Sequence, residues 1–304
     1  MVRVLMVLSA GLFALPLFAQ QEQMNILRKQ TEERLSEATK NRRCVLGYMA
    51  LDLNTREKLA SNESLVFPQA SAIKIPLLME VFKQAHEGKF KFSDTRTIDH
   101  AGAVEGGVLY HFASGQSRIS IYDLCVLMIV LSDNSATNIL IDLVGMENVN
   151  KTMQSLGLAH TRLQRKMMDV QASARGDENI STPAEACRVM QLLAAGEFID
   201  RATSYAILDI LRIPRDVPGI VASTIPSDVA IAYKKGEILP AVQTEWALVE
   251  LKGHPYVLAV MANYGLDTDA AVAFQEISKG VYDYFWRLAG ATPHGTYNDP
   301  SLWK

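Results

Sequence analysis

From residue 24 to residue 43, apolar positions such as Ile26, Leu27, Leu35 and Ala38 recur among charged ones at helical spacing, which predicts an amphipathic helix. Residues 44–53 alternate or run apolar and end at the turn signal Asn54-Thr55-Arg56; Lys58-Leu59-Ala60-Ser61 then completes a predicted hairpin. Between about 71 and 216 the periodicity is helical with loop interruptions, and no strand is predicted there. β-Branched and aromatic runs return at 229–233, 244–251 and 256–263, separated by Gly236 and by Lys252-Gly253-His254-Pro255. A last amphipathic helix is predicted over about 270–288.

Strands near both ends of the chain with a helical block between them imply an α+β fold whose single sheet is assembled from two distant segments. The expected arrangement is a five-stranded antiparallel sheet with the first and last helices on one face and the helical block on the other, and a functional cleft between the two parts. In these terms residues 20–70 and 217–291 form a discontinuous sheet domain and 71–216 an all-α domain. Residues 292–304 form an exposed tail.

Residues 1–19 are of another kind. Arg3 precedes the apolar run 4–19, and the chain turns polar at Gln20-Gln21-Glu22-Gln23, the pattern of a secretory signal peptide. The run is short for a membrane span, which needs about 20 apolar residues. The expectation is an exported protein, periplasmic or secreted, with no stable membrane anchor once the signal is removed. Thirty Lys plus Arg against 33 Asp plus Glu give a net charge of −3, without the basic excess that nucleic-acid binding needs, so no nucleic-acid partner is expected. Three scattered cysteines allow at most one bridge and read as buried small hydrophobes. The six histidines show no paired ligand spacing, so neither a metal nor another cofactor is indicated.

Three short motifs carry candidate chemistry. Ser71-Ala72-Ile73-Lys74 opens an apolar helical pattern, placing a hydroxyl and an amine one turn apart; a lysine freed of its proton by desolvation can activate a serine. Alone, the pattern equally describes a helix cap and a surface lysine. Ser132-Asp133-Asn134 interrupts an apolar helix, either as an Asp133-capped loop between two helices or as the lining of a wet cleft, because buried polar groups need partners. Lys234-Lys235-Gly236 ends a strand-like stretch, where a lysine can present its charge to a bound carboxylate.

In this order, with Ser132 at 61 residues from Ser71 and Lys234 a further 102 on, the chain resembles the penicillin-recognising serine enzymes. The likeness is greatest to the class A β-lactamases, whose motif set is S-x-x-K, S-D-N and K-T-G. It extends over most of the chain after the signal segment. Leu127-Met128-Ile129, Thr137-Asn138, and the loop that opens at Thr161-Arg162-Leu163 and closes at Ser181-Thr182-Pro183 are similar too. The resemblance implies that Ser71 attacks a lactam carbonyl and becomes the acyl-enzyme while Lys74 takes or relays its proton. It implies an oxyanion hole made by the backbone N–H groups of Ser71 and Glu237. Ser132 would pass a proton to the departing nitrogen, Asn134 would bind the substrate amide and steady Lys74, and Lys234 beside Gly236 would attract the substrate carboxylate. Asp133 would brace its loop.

Where the family carries its deacylating glutamate this sequence has Met167, which cannot take a proton from water. Asp169 is the nearest carboxylate, although in a helical loop it points about 200° away from position 167. Gln171 falls where the family has a water-holding Asn. Lys235 replaces the usual Thr or Ser, removing a hydroxyl and adding a cation to the substrate-binding strand. Arg165 is expected to meet Asn179 instead of an Asp, loosening the loop. Cys125 stands at a family disulfide position, but its partner position is Leu78, so no bridge follows. The expected function is a serine hydrolase of the β-lactamase type with slow or altered deacylation. The alternatives are a D-alanine peptidase or esterase of the same superfamily, or an acylated sensor without turnover. Its partner is then a small β-lactam or cell-wall peptide, and a monomer is expected.

Overall fold

The computed structural model describes residues 14–40, 42–265, 267–292 and 295. The signal segment read from residues 1–19 and the tail 292–304 thus lie mostly outside the described residues. Helix α1 (Ala14–Thr39) leads to strand β1 (Val45–Asp52), which turns into β2 (Lys58–Ser61). The turn is closed by the buried Asp52 carboxylate, which accepts from the backbone N–H groups of Asn54 and Thr55 at 2.8 and 2.7 Å, the self-capping that makes Asp a turn residue. The chain continues through β3 (Phe67–Pro68), α2 (Lys74–His86), β4 (Thr95–Thr97), β5 (Arg118–Ser120), α3 (Ile121–Val130), α4 (Asn134–Val144), α5 (Met146–Ser155), α6 (Val170–Ala174) and β6 (Ile180–Ser181). Helices α7 (Pro183–Ala195) and α8 (Arg201–Arg212) complete the helical layer. The chain then returns to the sheet as β7 (Ile231–Ile238), β8 (Val242–Val249) and β9 (Tyr256–Asn263), and ends in α9 (Asp267–Ala289).

The main sheet has the order β2-β1-β9-β8-β7, antiparallel throughout, with β1 and β9 in register from Val45 opposite Asn263 to Asp52 opposite Tyr256. The five-stranded sheet and its α+β class are as expected. Two miniature ladders, β3 with β6 and β4 with β5, correct the strand-free reading of 71–216. They are two or three residues long, too short for a period of two to register in the sequence.

Both faces of the sheet are covered. Trp246, Leu248, Ala259 and Met261 join Leu77, Met128 and Val189 in the core on the helical-layer side. Ala247, Val249, Leu258 and Val260 pack with Leu35, Phe274, Ile277 and Phe285 on the side of α1 and α9. Burial on both faces is why β9 and the second half of β8, from Trp246 to Val249, read as continuous apolar runs and not as alternations. Cys44, Cys125 and Cys187 are free thiols, the last two buried. Among the described residues no helix is long and apolar enough to cross a membrane, and no three His, Cys, Asp or Glu side chains are grouped to hold a metal.

Candidate active site

Ser71 lies in a single 3-10 turn, Ala70–Ile73, and Lys74 is the first residue of α2. The turn starts from an unusual backbone: Ala70 has φ of 45°, a left-handed conformation that costs an L-residue about 1–2 kcal/mol. It is held down by Gln69, a residue the sequence did not single out. The Gln69 carbonyl accepts from Thr244 Oγ1 at 3.0 Å, its side-chain Oε1 accepts from Trp246 Nε1 at 2.9 Å, and its Nε2 donates to the Phe67 carbonyl at 2.9 Å. Strand β8 therefore clamps the serine turn from below.

The Lys74 side chain is fully buried. Its Nζ donates to the Ser132 carbonyl at 2.7 Å, to Ser132 Oγ at 3.1 Å and to Asn134 Oδ1 at 2.9 Å. Burial lowers its pKa to about 7, against a smaller opposing pull from Asp133. Desolvation of an ammonium favours the neutral amine, the form that can take a proton.

Ser132-Asp133-Asn134 forms the connection between α3 and α4, the loop capped by Asp133 that one of the two sequence readings describes, and Asn134 also lines the cavity beside Ser71. Asp133 is the N-cap of α4, accepting from Ala136 N–H at 2.8 Å, and its other oxygen accepts from Leu109 N–H at 2.9 Å, so it braces the loop. Ser132 takes φ of 55°, which turns its hydroxyl and carbonyl toward the two lysines. Asn134 is fixed from behind by the loop at 105–107, donating through Nδ2 to the Glu105 carbonyl at 2.9 Å. Gly106 and Gly107 are needed there because a Cβ on either would run into the Asn134 or Asp133 side chain. That glycine pair was the available signal for this supporting loop.

Strand β7 is the edge of the sheet. Glu250 N–H donates to the Ala230 carbonyl just before the strand, so by the antiparallel alternation residues 232, 234 and 236 bond to β8 while the backbone of 233, 235 and 237 faces the open edge. The carbonyls of Tyr233 and Lys235 accept there from Arg215 and Lys234 side chains, at 2.7 and 2.8 Å, and the same parity turns the Glu237 N–H outward. Gly236 brings that edge to the serine turn: a Cβ at this position would overlap the Gln69 carbonyl and stand 2.6 Å from Ala72 N and 2.8 Å from Ser71 N. The edge of β7 at Gly236 and the serine turn are thus packed directly against each other.

Lys234 Nζ donates to Ser132 Oγ at 3.1 Å. Burial first, and then the neighbouring charges of Lys74, Arg215 and Lys235, hold its pKa well below the usual lysine range. Lys235 points to the other face of β7 and is not a free cation, since its Nζ lies 3.7 Å from Glu237 Oε2. Opposite Lys235 on β8 is Glu245, buried and accepting from the Val221 and Ala222 N–H groups at 3.1 and 3.0 Å; burial raises its pKa to about 7.

The loop from Thr161 to Ser181 closes the other side. Met167 is buried, and its backbone is held at both ends by Asn138, Oδ1 accepting from its N–H at 2.8 Å and Nδ2 donating to its carbonyl at 3.1 Å. Met168 is left-handed, φ 63°, and half-exposed. Asp169 caps the short helix α6, its Oδ1 accepting from Ala172 N–H at 2.9 Å, while Gln171 is exposed on α6 and does not line the cavity that contains Ser71. Arg165 meets Asn179 as expected, but through its backbone, Asn179 Nδ2 also donating to the Arg165 carbonyl at 3.2 Å. The Arg165 guanidinium pairs with Glu178 at 2.9 and 3.1 Å, and Asn179 instead accepts from the Gln164 and Arg165 backbone N–H groups. The loop is cross-braced, not loosened. A cavity of about 300 Å³ opens between loop and sheet, lined by Ser71, Asn134, Met167, Asp169, Glu237 and Ile238 among others.

Residues 29–285 match the model of the β-lactamase enzyme family. The chain belongs to that family. As a family member it is a serine hydrolase of the β-lactamase type. It is similar to β-lactamase L2 of Stenotrophomonas maltophilia, 28% identical over 211 residues covering 66% of this chain and 69% of that one. The chain spans about two thirds of the length of the curated β-lactamases it matches. Among solved structures, a β-lactamase of Sphaerobacter thermophilus superposes with a TM-score of 0.75 at 26% identity, covering 83% of this chain and 95% of the other. A mutant of PBP-A, solved as its acyl-enzyme complex with penicillin G, superposes with a TM-score of 0.76 at 25% identity, covering 86% and 97%.

Proposed function

We propose that this protein is acylated at Ser71 by β-lactams and releases the acyl group slowly. The reading rests on Lys74: a buried amine with a pKa near neutrality, oriented by Ser132 and Asn134, one turn from a serine against which Gly236 sets the edge of β7. In acylation the Ser71 oxygen bonds to the lactam carbonyl carbon and its proton passes to neutral Lys74. The oxyanion takes hydrogen bonds from the N–H groups of Ser71 and Glu237, each such donor being worth about 100-fold to 1000-fold in rate. As the carbon–nitrogen bond breaks, Ser132 passes a proton to the lactam nitrogen and is resupplied from the lysines that donate to it.

Deacylation needs a base for water. Position 167 is a buried thioether, and the Asp169 carboxylate is committed to capping α6, so the usual 100-fold to 10,000-fold gain from general-base help is missing. The acyl-enzyme of a PBP-A mutant with penicillin G supports the same chemistry for a neighbour of this fold. The buried Met167 also favours a second reading, a peptidase or esterase acting on cell-wall peptide for which β-lactams are pseudo-substrates. The signal-like segment 1–19 supports export to the periplasm or beyond.

Mixing the protein with benzylpenicillin and following intact mass and free drug tests this directly. A long-lived adduct that is lost in Ser71→Ala is the expected result. An adduct unchanged by that substitution overturns the assignment of Ser71, and rapid turnover overturns slow release.

A further inference from the structure

The carboxylate of Glu237 lies beside Lys235 on the strand edge that Gly236 brings to the serine turn. Residues 235 and 237 share one face of β7 by the period of two in a strand, and their side chains meet at 3.7 Å, only 28% and 35% exposed. Glu237 also lines the cavity that contains Ser71, and it directly follows the glycine that brings the strand edge to the serine turn. The other charged groups around that cavity are already engaged: Arg165 with Glu178, and Asp169 with the start of α6. Across the sheet, Glu245 faces Lys235 in register. The Lys235 ammonium is therefore paired with the Glu237 carboxylate on its own strand, and it offers an incoming anion much less than a free cation would. Like charges brought close in a partly desolvated site repel strongly.

We propose that Glu237 is a specificity-determining residue that disfavours acyl donors carrying an anionic group beside the scissile bond, so that the site prefers neutral amides and esters. The inference rests on the reading of Ser71 as the acylated nucleophile. On it, Lys234 still attracts an anion, but Glu237 answers that attraction from the outer side of the strand. The substrate class that fits is an acyl compound whose group next to the reacting carbonyl is uncharged, such as an esterified or amidated carboxyl.

Benzylpenicillin and its methyl ester differ in that one charge and share the reacting ring. Rate constants for adduct formation on Ser71 are measured for both compounds by intact mass, in the wild-type protein and in the Glu237→Gln and Glu237→Lys variants. The ratio of free acid to methyl ester is expected to rise at least about tenfold in Glu237→Gln and further in Glu237→Lys, the order that charge and not shape dictates. Thermal unfolding of each variant identifies any that fails to fold, and the other then decides. Adducts from both compounds with a ratio that the substitutions leave unaltered overturn the proposal. No adduct from either compound overturns instead the assignment of Ser71 on which it stands.

Discussion

The ammonium groups of Lys74 and Lys234 donate to the same atom, the hydroxyl oxygen of Ser132, each at 3.1 Å. Burial disfavours the charge on both, and at Lys234 the charge of Lys74 adds to the effect. Lys74 sits near its midpoint at neutral pH, so its amine can take up or release a proton there.

Acylation should therefore follow the deprotonation of Lys74. The rate constant for adduct formation is expected to rise with pH through about 7 and then level off, because only the neutral amine accepts the serine proton. In Lys74→Met it should fall about 100-fold to 10,000-fold. The same substitution should stabilise the fold. Lysine is charged in the unfolded chain up to about pH 10.5 but only up to about 7 when folded. Between those values the folded chain binds fewer protons, so wild-type stability rises with pH by up to about 1.4 kcal/mol per unit from this group. The advantage of Lys74→Met in urea unfolding is thus expected to be largest at pH 6 and to shrink toward pH 10; an advantage independent of pH would refute the depressed pKa.

Met167→Glu should shorten the lifetime of the penicillin adduct by about 100-fold or more, since it returns a base to the loop beside Ser71. Its cost is a carboxylate at a buried site, about 1–3 kcal/mol in denaturant unfolding. An adduct lifetime that stays as in wild type would mean that position 167 does not face the acyl carbonyl.

Arg165→Ala leaves Glu178 without its cation in the loop and should destabilise the protein by about 1–3 kcal/mol. Because the loop lines the serine cavity, limited proteolysis should cut first between residues 161 and 181. Cleavage elsewhere first would show that this ion pair does not hold the loop.

Gly236→Ala pushes a methyl group against backbone atoms on both sides of Ser71. Either the strand edge or the serine turn must yield, so acylation is expected to fall about 100-fold or more with a stability loss of about 1–3 kcal/mol. Near-normal acylation in this variant would place the oxyanion donors elsewhere.

Much of this molecule was legible in the chain because its signals are periodic or ordered. The hairpin, the three late strands and the terminal helices follow from apolar spacing, and the site residues from three motifs in sequence. What escaped lacks local pattern. Gln69 matters through Trp246, which is 177 residues away, and a single polar residue says nothing about so distant a partner. Glu178 takes the Arg165 guanidinium while Asn179 holds the Arg165 backbone, because a guanidinium on a long side chain can reach either neighbour and one residue of sequence offset decides little. Lys235 could be seen to be a lysine where a hydroxyl was expected, but its neutralisation by Glu237 depends on strand parity and on side-chain reach.

The order of strands also governs when this protein can acquire its activity. The serine turn is made in the first quarter of the chain and the strand edge that completes it in the last quarter. β1 gains its inner neighbour only when β9 arrives. Helical contacts in between are local and form early, whereas pairings over such separations are slow because long loops must close first. A refolding chain should thus recover its helical signal well before it can be labelled by penicillin, and a nascent one should pass most of its synthesis carrying an unarmed nucleophile.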